Sequence, residues 1–208
     1  MENLETIEYK GFNIKIDFDE NTESPREWDN FGKMICWHNR YTLGDKKQLD
    51  QYSEKKECKL SKLTDACNGW DEVEQVLRDE FEAVVILPLF LYDHSGISMR
   101  TYPHGQYAGW DGGYIGFIYA TKADILKKFN LKKLSKKAIV RTKEILEGEV
   151  ETYNSYLTGQ IFCYTVEDQA GNNHDSCGGF YEDVEALTEA KGVVDYIVKD
   201  KKQLQLQY

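Results

Sequence analysis

An α+β fold is what the sequence predicts: a central, mostly antiparallel sheet with helices packed on one face and an N-terminal β-hairpin. Three observations predict it. Val84 to Tyr92 (VVILPLFLY) is nearly continuous apolar, a length and composition suited to a strand buried on both faces. Ser95-Gly96 supplies turn chemistry that lets Ile97 to Tyr102 return as a partner strand, and Tyr114 to Ala120 alternates as a third, with Tyr114, Gly116 and Ile118 against Ile115, Phe117 and Tyr119. Around these strands, Trp70 to Ala83 and Ser135 to Leu157 carry apolar residues at helical spacing.

Taken in order, Glu5 to Tyr9, Lys10-Gly11 and Phe12 to Phe18 read as a hairpin, because Phe12, Ile14, Ile16 and Phe18 alternate with polar residues. The acidic loop DENTES follows, then an apolar cluster at Trp28, Phe31, Met34, Ile35 and Trp37 with a strand at Lys33 to His38. Tyr41 to Lys59 is polar and reads as a surface excursion with a short helix near Lys46 to Tyr52. In the helix from Trp70, the apolar positions are Val73, Val76, Leu77 and Phe81, with Asp71 and Glu72 favourably placed in the first turn. Thr121-x-x-Asp124 is a capping pattern for Lys122 to Phe129. The long helix that follows has Ile139, Leu146, Val150, Tyr153 and Leu157 on one stripe, a weak point at Gly148, and a stop at Gly159. Gln160 to Val166 is a strand, EDQAGNNHDSCGG a loop, and Glu182 to Val198 a last helix bent near Gly192, followed by a frayed tail.

A chain of 208 residues with 41% hydrophobic and 13% aromatic content supports one packed α+β domain over residues 1–208, with an N-terminal subdomain 1–68 as the alternative division. No segment approaches the roughly 18 apolar residues of a membrane span, and the start MENLETIEYKG has no leader character, so a cytoplasmic protein without a membrane partner is expected. Cys36, Cys58, Cys67, Cys163 and Cys177 form an odd set without a C-x-x-C pair and read as reduced thiols. The net charge of −10 is uneven. Thr121 to Lys143 has nine bases and one acid, which is +8, leaving 17 bases and 35 acids, or −18, for the rest.

Two loops gather groups capable of chemistry. At the rim of the predicted sheet, Asp93, His94, His104 and Asp111 could hold a divalent metal or make His94 a general base, although no pair has diagnostic metal spacing, and Asp-His-Ser-Gly is also an ordinary strand-ending turn. Asp168, Asn172, Asn173, His174, Asp175 and Cys177 are oxygen-rich but lack the calcium-loop order, and Gly-Asn-Asn suits a hairpin tip. GWDGGYIG lacks the Gly-Lys-[Ser/Thr] of a phosphate loop and precedes a strand. Its glycines serve the packing of Trp110 and Tyr114.

Three segments, LPLFLYDHSGISM (Leu87 to Met99), GWDGGYIGFIYATK (Gly109 to Lys122) and GEVETYNSYLTGQIFCY (Gly148 to Tyr164), resemble a family of small acidic proteins encoded by bacteriophages, plasmids and integrative elements. The resemblance covers roughly the second half of the chain and implies a genetic setting in which accessory proteins inhibit host defence, some as acidic DNA mimics. It transfers no catalytic residues.

The first functional reading is therefore an anti-restriction or anti-CRISPR inhibitor that binds a host defence complex without a cofactor or metal. Its expected contacts are Asp17, Asp19, Glu20, Glu23 and Glu27, with Glu144, Glu147 and Glu151 on the long helix and Tyr107, Trp110 and Tyr114 as aromatic anchors. The alternative is a metal- or His-dependent hydrolase of a nucleotide or nucleic acid using Asp93, His94, His104 and Asp111. A third reading, placed last because of the acidic balance, binds nucleic acid through Lys127, Lys128, Lys132, Lys133, Lys136 and Lys137.

Overall fold

A computed structural model describes residues 4–103 and 111–205, and the chain divides into two compact units. The terminal unit comprises Met1–Glu23 and Thr158–Tyr208, and the inserted unit is Ser24–Leu157, so residue 68 lies inside the second. The fold is α+β with antiparallel sheets and the expected N-terminal hairpin.

Glu5–Tyr9 (β1) pairs with Phe12–Phe18 (β2). Lys10 and Gly11 take φ of +50° and +81°, the two-residue turn whose twist matches that of the flanking strands. Phe12, Ile14 and Ile16 are buried while Asn13, Lys15 and Asp17 remain half-exposed, which is the one-sided alternation of a sheet with one packed face.

In the inserted unit, Lys33–Cys36 is β3, and the expected helix near Lys46 is a 3-10 turn, Lys46–Asp50. Tyr52–Ser53 (β4) and Cys58–Lys59 (β5) form a small ribbon, followed by Leu63–Ala66 (α1) and Trp70–Glu80 (α2). Next come Ala83–Asp93 (β6), Ile97–Arg100 (β7) and Gly112–Thr121 (β8), then Lys122–Lys128 (α3) and Lys136–Leu157 (α4). The Thr121 hydroxyl accepts the Asp124 amide at 3.1 Å, which is the expected cap.

The sheet order here is β3-β8-β6-β7, all antiparallel. Leu87, Leu89 and Ile118 pack on one side with Leu146 and Val150 of α4, while Phe117 and Tyr119 pack on the other with Val73, Val76 and Leu77 of α2. Helices thus cover both faces of this sheet, which is why β6 is apolar at nearly every position. A bulge departs from the simple alternation expected in β8. Leu89 pairs with Gly116 but Phe90 pairs with Tyr114, leaving Ile115 extra. Ile115 consequently faces the α4 side with Ile118, and Tyr114 joins Phe117 and Tyr119 on the α2 side. The buried stripe of α4 is Ala138, Thr142, Leu146, Val150 and Tyr153. Ile139, expected on it, lies at its exposed edge.

The strongest polar arrangement in this unit surrounds Arg26, whose side chain is only 3% exposed. Its Nε and Nη2 donate to the two Asp45 oxygens at 2.8 and 2.9 Å, Nη1 to Glu149 at 3.0 Å, and Nη2 also to the Gly32 carbonyl at 2.7 Å. The two carboxylates are then reused. Asp45 accepts the Met34 amide at 2.8 Å, and Glu149 accepts the Phe31 and Gly32 amides at 2.8 and 3.1 Å. Gly32 fits because any Cβ there would meet Leu146 and Glu149. Gly44, at φ +69°, brings Asp45 against β3 where a Cβ would strike the Met34 carbonyl.

Thr158–Tyr208 returns as Phe162–Asp168 (β9) and Asn173–Phe180 (β10), completing a sheet of order β1-β2-β9-β10. The expected loop is thus mostly strand, and only its Gly-Asn-Asn region turns. Asp183–Gln205 (α5) runs unbroken through Gly192 and past Val198, in place of the expected bend and frayed tail. Its small residues Ala186 and Ala190, with Val194, pack beside Ile14, Ile16, Tyr164 and Val166. This sheet carries its helix on one face, the arrangement the sequence predicts for the central sheet of Val84 to Ala120, which helices cover on both faces instead.

Removing the Arg26 charge strands two carboxylates against the core. Arg26→Met is expected to destabilise the inserted unit by about 3–5 kcal/mol, measured by urea unfolding, with amide protection lost first at Phe31, Gly32 and Met34. A loss below about 1 kcal/mol would show that the cluster is not a structural centre.

Candidate functional site

The C-terminal ends of β3 and β6 and the start of β8 meet at one end of the inserted sheet, because both pairings of β8 are antiparallel. They border a cleft of about 450 Å³ lined by Trp37, His38, Arg40, Asp93, Asp111 and Tyr114, among others. Of the hydrolase residues expected from sequence, Asp93, His94 and Asp111 come together here. His104, Tyr107 and Trp110 lie outside the described residues.

Asp93 and His94 do not act as a pair. Asp93 is held by Arg40 Nη1 at 3.0 Å and by the Tyr41 hydroxyl at 3.1 Å, whereas His94 Nδ1 lies 3.2 Å from Asp111. His38 Nδ1 accepts the Arg40 and Tyr41 amides at 3.3 and 3.2 Å, which places the proton of the neutral ring on Nε2. Its ring stacks on Tyr41, centroids 5.1 Å apart, and the Arg40 guanidinium lies 5.3 Å from the centre of the same Tyr41 ring. Sequence reading singled out none of the three: His38 closes the predicted strand Lys33 to His38, Tyr41 opens the segment read as a surface excursion, and Arg40 lies between them. Their signal was the run His38 to Tyr41 immediately after a strand.

The cleft therefore offers an exposed His–Asp dyad beside an ion pair that is already satisfied. Among the described residues no three metal-ligating side chains cluster, and the thiol of Cys36, a residue of β3, is buried, with burial pushing it far up from the ordinary thiol range.

In the terminal unit, the oxygen-rich loop considered for calcium is a turn built on Asp168. Its Oδ1 accepts the Ala170 and Asn172 amides, each at 2.9 Å, and its Oδ2 meets the Asn172 side-chain amide at 2.9 Å and His174 Nε2 at 3.1 Å. The Asn172 side chain, then its backbone amide and His174, hold the Asp168 carboxyl well below the usual carboxylate range. Its acceptor capacity is used in closing β9 onto β10.

Charge divides by unit. The terminal unit has 16 acids and 6 lysines, net −10, and the inserted unit has 20 acids and 20 bases, net zero. Of the acidic contacts expected from sequence, Asp17 and Asp19 are half-buried, with Asp17 accepting the Leu4 amide and Asp19 the Asn21 and Gly179 amides. Glu20 and Glu23 are exposed in the same unit. Glu27, Glu144, Glu147 and Glu151 belong to the inserted unit, and Glu147 faces Lys143 at 3.6 Å. The α5 carboxylates escaped sequence reading. Glu185 and Glu189 share an exposed stripe with Tyr196, which is 72% exposed, and Val184 beside them is 64% exposed. Their signal was the acidic run Glu182 to Glu189, which contains no base. Tyr114 is packed edge-on against Trp70 at 4.5 Å and is only half accessible.

Among the described residues no helix is long and apolar enough to cross a membrane. No family model, curated protein or solved structure matches the chain.

The depressed Asp168 pKa gives a signed expectation. A carboxyl whose folded pKa lies below its unfolded value of about 3.9 stabilises the turn above that pH and loses the contribution as pH falls through the folded value. In an NMR titration Asp168 is expected to remain ionised at about pH 3, while Asp168→Ala speeds exchange of the Ala170 and Asn172 amides. Titration of Asp168 near its ordinary value would contradict this.

Proposed function

We propose that this is a mobile-element accessory protein that binds and inhibits a host nucleic-acid-targeting defence complex in the bacterial cytoplasm, of anti-restriction or anti-CRISPR type. The terminal unit presents carboxylates in place of nucleic-acid phosphates. The observation that carries this reading is the concentration of the whole net charge of −10 in that unit. An acid excess confined to one compact unit gives a directed field, which steers a basic partner more effectively than the same charge spread evenly.

The exposed stripe of α5 supplies the geometry. Glu185 and Glu189 stand one helical turn apart, a rise of roughly 6 Å, close to twice the roughly 3.4 Å axial rise per phosphate on one DNA strand. Tyr196 and Val184 add apolar anchors, the part of an interface that supplies most affinity once charges have aligned it. Glu20 and Glu23 extend the acidic surface of the same unit.

The test is protection in cells. Expressed in its host, the wild-type protein is expected to raise transformation by a restriction-sensitive or CRISPR-targeted plasmid, and Glu185→Lys with Glu189→Lys to weaken that protection about tenfold or more. Glu144→Lys with Glu151→Lys on α4 is expected to leave it largely intact. Full protection by the α5 variant would overturn the assignment of that surface.

A further inference from the structure

Bases outside residues 121–143 are commonly paired in this protein. Lys10, Lys15, Arg26, Lys33, Arg40, Lys55, Lys56, Lys59, Lys62 and Arg78 each reach a carboxylate. Within 121–143 there are nine bases, and among the described residues only Lys143 makes such a contact, with Glu147 at 3.6 Å. Lys127, Lys128, Lys132, Lys133, Lys136, Lys137 and Arg141 are exposed. A chain with 36 acids thus leaves eight of the nine bases in its densest basic segment without an ion pair among the described residues.

Helix energetics do not explain this placement. α3 ends on Lys127 and Lys128, where cations suit the helix dipole, but α4 begins with Lys136 and Lys137 and has no acid in its first turn. Cations at a helix start oppose the dipole, and although the Ser135 hydroxyl caps this end by accepting the Ala138 amide at 3.1 Å, no acid there offsets the lysine charge. The residues span the end of α3, the connection and the first two turns of α4, which pack against one another in the inserted unit. They lie within fifteen consecutive residues of that unit.

We infer that this α3–α4 track binds the phosphate backbone of double-stranded nucleic acid without reading its base sequence. This goes beyond the proposed inhibitor function and does not depend on it. Phosphate is favoured because seven of the eight bases from Lys122 to Arg141 are lysines, point charges suited to a backbone, whereas base-edge readout relies on the planar forks of Arg, Asn and Gln. A duplex is favoured because the exposed apolar residues among them, Leu131, Ile139 and Val140, are aliphatic, and single strands are held by aromatic stacking. A lipid surface is disfavoured because the apolar face of α4 is already committed to the core through Leu146, Val150 and Tyr153, leaving no broad face to insert. At 0.1 M salt, charges more than about 10 Å away are largely screened, so the local track governs binding rather than the net charge of the protein.

The full-length protein would be titrated onto a fluorescent mixed-sequence DNA duplex, a homopolymer thymidine strand, and phosphatidylserine-containing vesicles at several salt concentrations. Duplex binding is expected with a log–log salt slope of about −5 to −7, corresponding to roughly six to eight neutralised phosphates. Lys132→Gln, Lys133→Gln, Lys136→Gln and Lys137→Gln together are expected to make the slope shallower by about 3 to 4. Lys55→Gln with Lys59→Gln, altering paired bases of the same unit, is expected to change nothing, and circular dichroism checks that both variants fold. No duplex binding at 50 mM salt would overturn the proposal. So would an unchanged slope in the quadruple variant, or preference for vesicles or single strand over duplex.

Discussion

The inserted unit depends on one buried guanidinium. Arg26 contributes four N–H donors to Asp45, Glu149 and the Gly32 carbonyl, and the two carboxylates pass their remaining acceptor capacity to the amides of Phe31, Gly32 and Met34. Four segments between Pro25 and Asp45 (the turn at Pro25, the glycine approach to β3, β3 itself and the Gly44-Asp45 corner) are thereby referenced to one point together with the middle of α4, more than a hundred residues away. A buried pair of this kind adds little net stability compared with a well-packed apolar core, but it penalises every arrangement in which one partner is missing. It sets which face of α4 meets the sheet and where β3 enters it. Once β3 is placed, the β3, β8 and β6 ends come together, and with them the cleft lined by His38, Arg40, Asp93 and Asp111.

In both polar clusters singled out in the sequence, one carboxylate is already engaged by neighbouring groups. Asp93 is neutralised by Arg40 and bonded by Tyr41, and Asp168 spends its lone pairs on closing a turn. Exposed charge lies elsewhere: in the terminal unit at Glu20, Glu23, Glu185 and Glu189, and in the inserted unit at Lys127, Lys128, Lys132, Lys133, Lys136 and Lys137. The aromatic and aliphatic exposure at Tyr196 and Val184 falls on the acidic unit.

Local signals were legible where they are self-contained. The Lys10-Gly11 turn, the Thr121 cap and the continuous apolar run of β6 each follow from a few adjacent residues and appear where the sequence places them. The bulge at Ile115 was not legible, because it is a mismatch between two strands and leaves no mark in the alternation of either one alone. Glu149 had a partial signal. It lies between Leu146 and Val150 on the buried side of α4, where a carboxylate demands a cation, but its partner Arg26 is 123 positions away and spacing cannot find it. The division into two units was hidden for a related reason. The terminal sheet joins β2 to β9 across the whole inserted segment, and no linker composition marks either crossing at residues 23–24 or 157–158. The acidic contacts chosen from sequence favoured the N-terminal run, and Asp17 and Asp19 proved to be engaged with backbone amides, while the freer carboxylates sit on α5.

The central claim is that the acidic terminal unit engages a basic protein surface. The most direct measurement is capture on the immobilised full-length protein from nuclease-treated host lysate, with quantitative mass spectrometry of what remains at moderate and at high salt. One nucleic-acid-handling defence component retained stoichiometrically at moderate salt and released at high salt is the expected result. Retention of no such component, or of one that neither salt nor free DNA displaces, would contradict it.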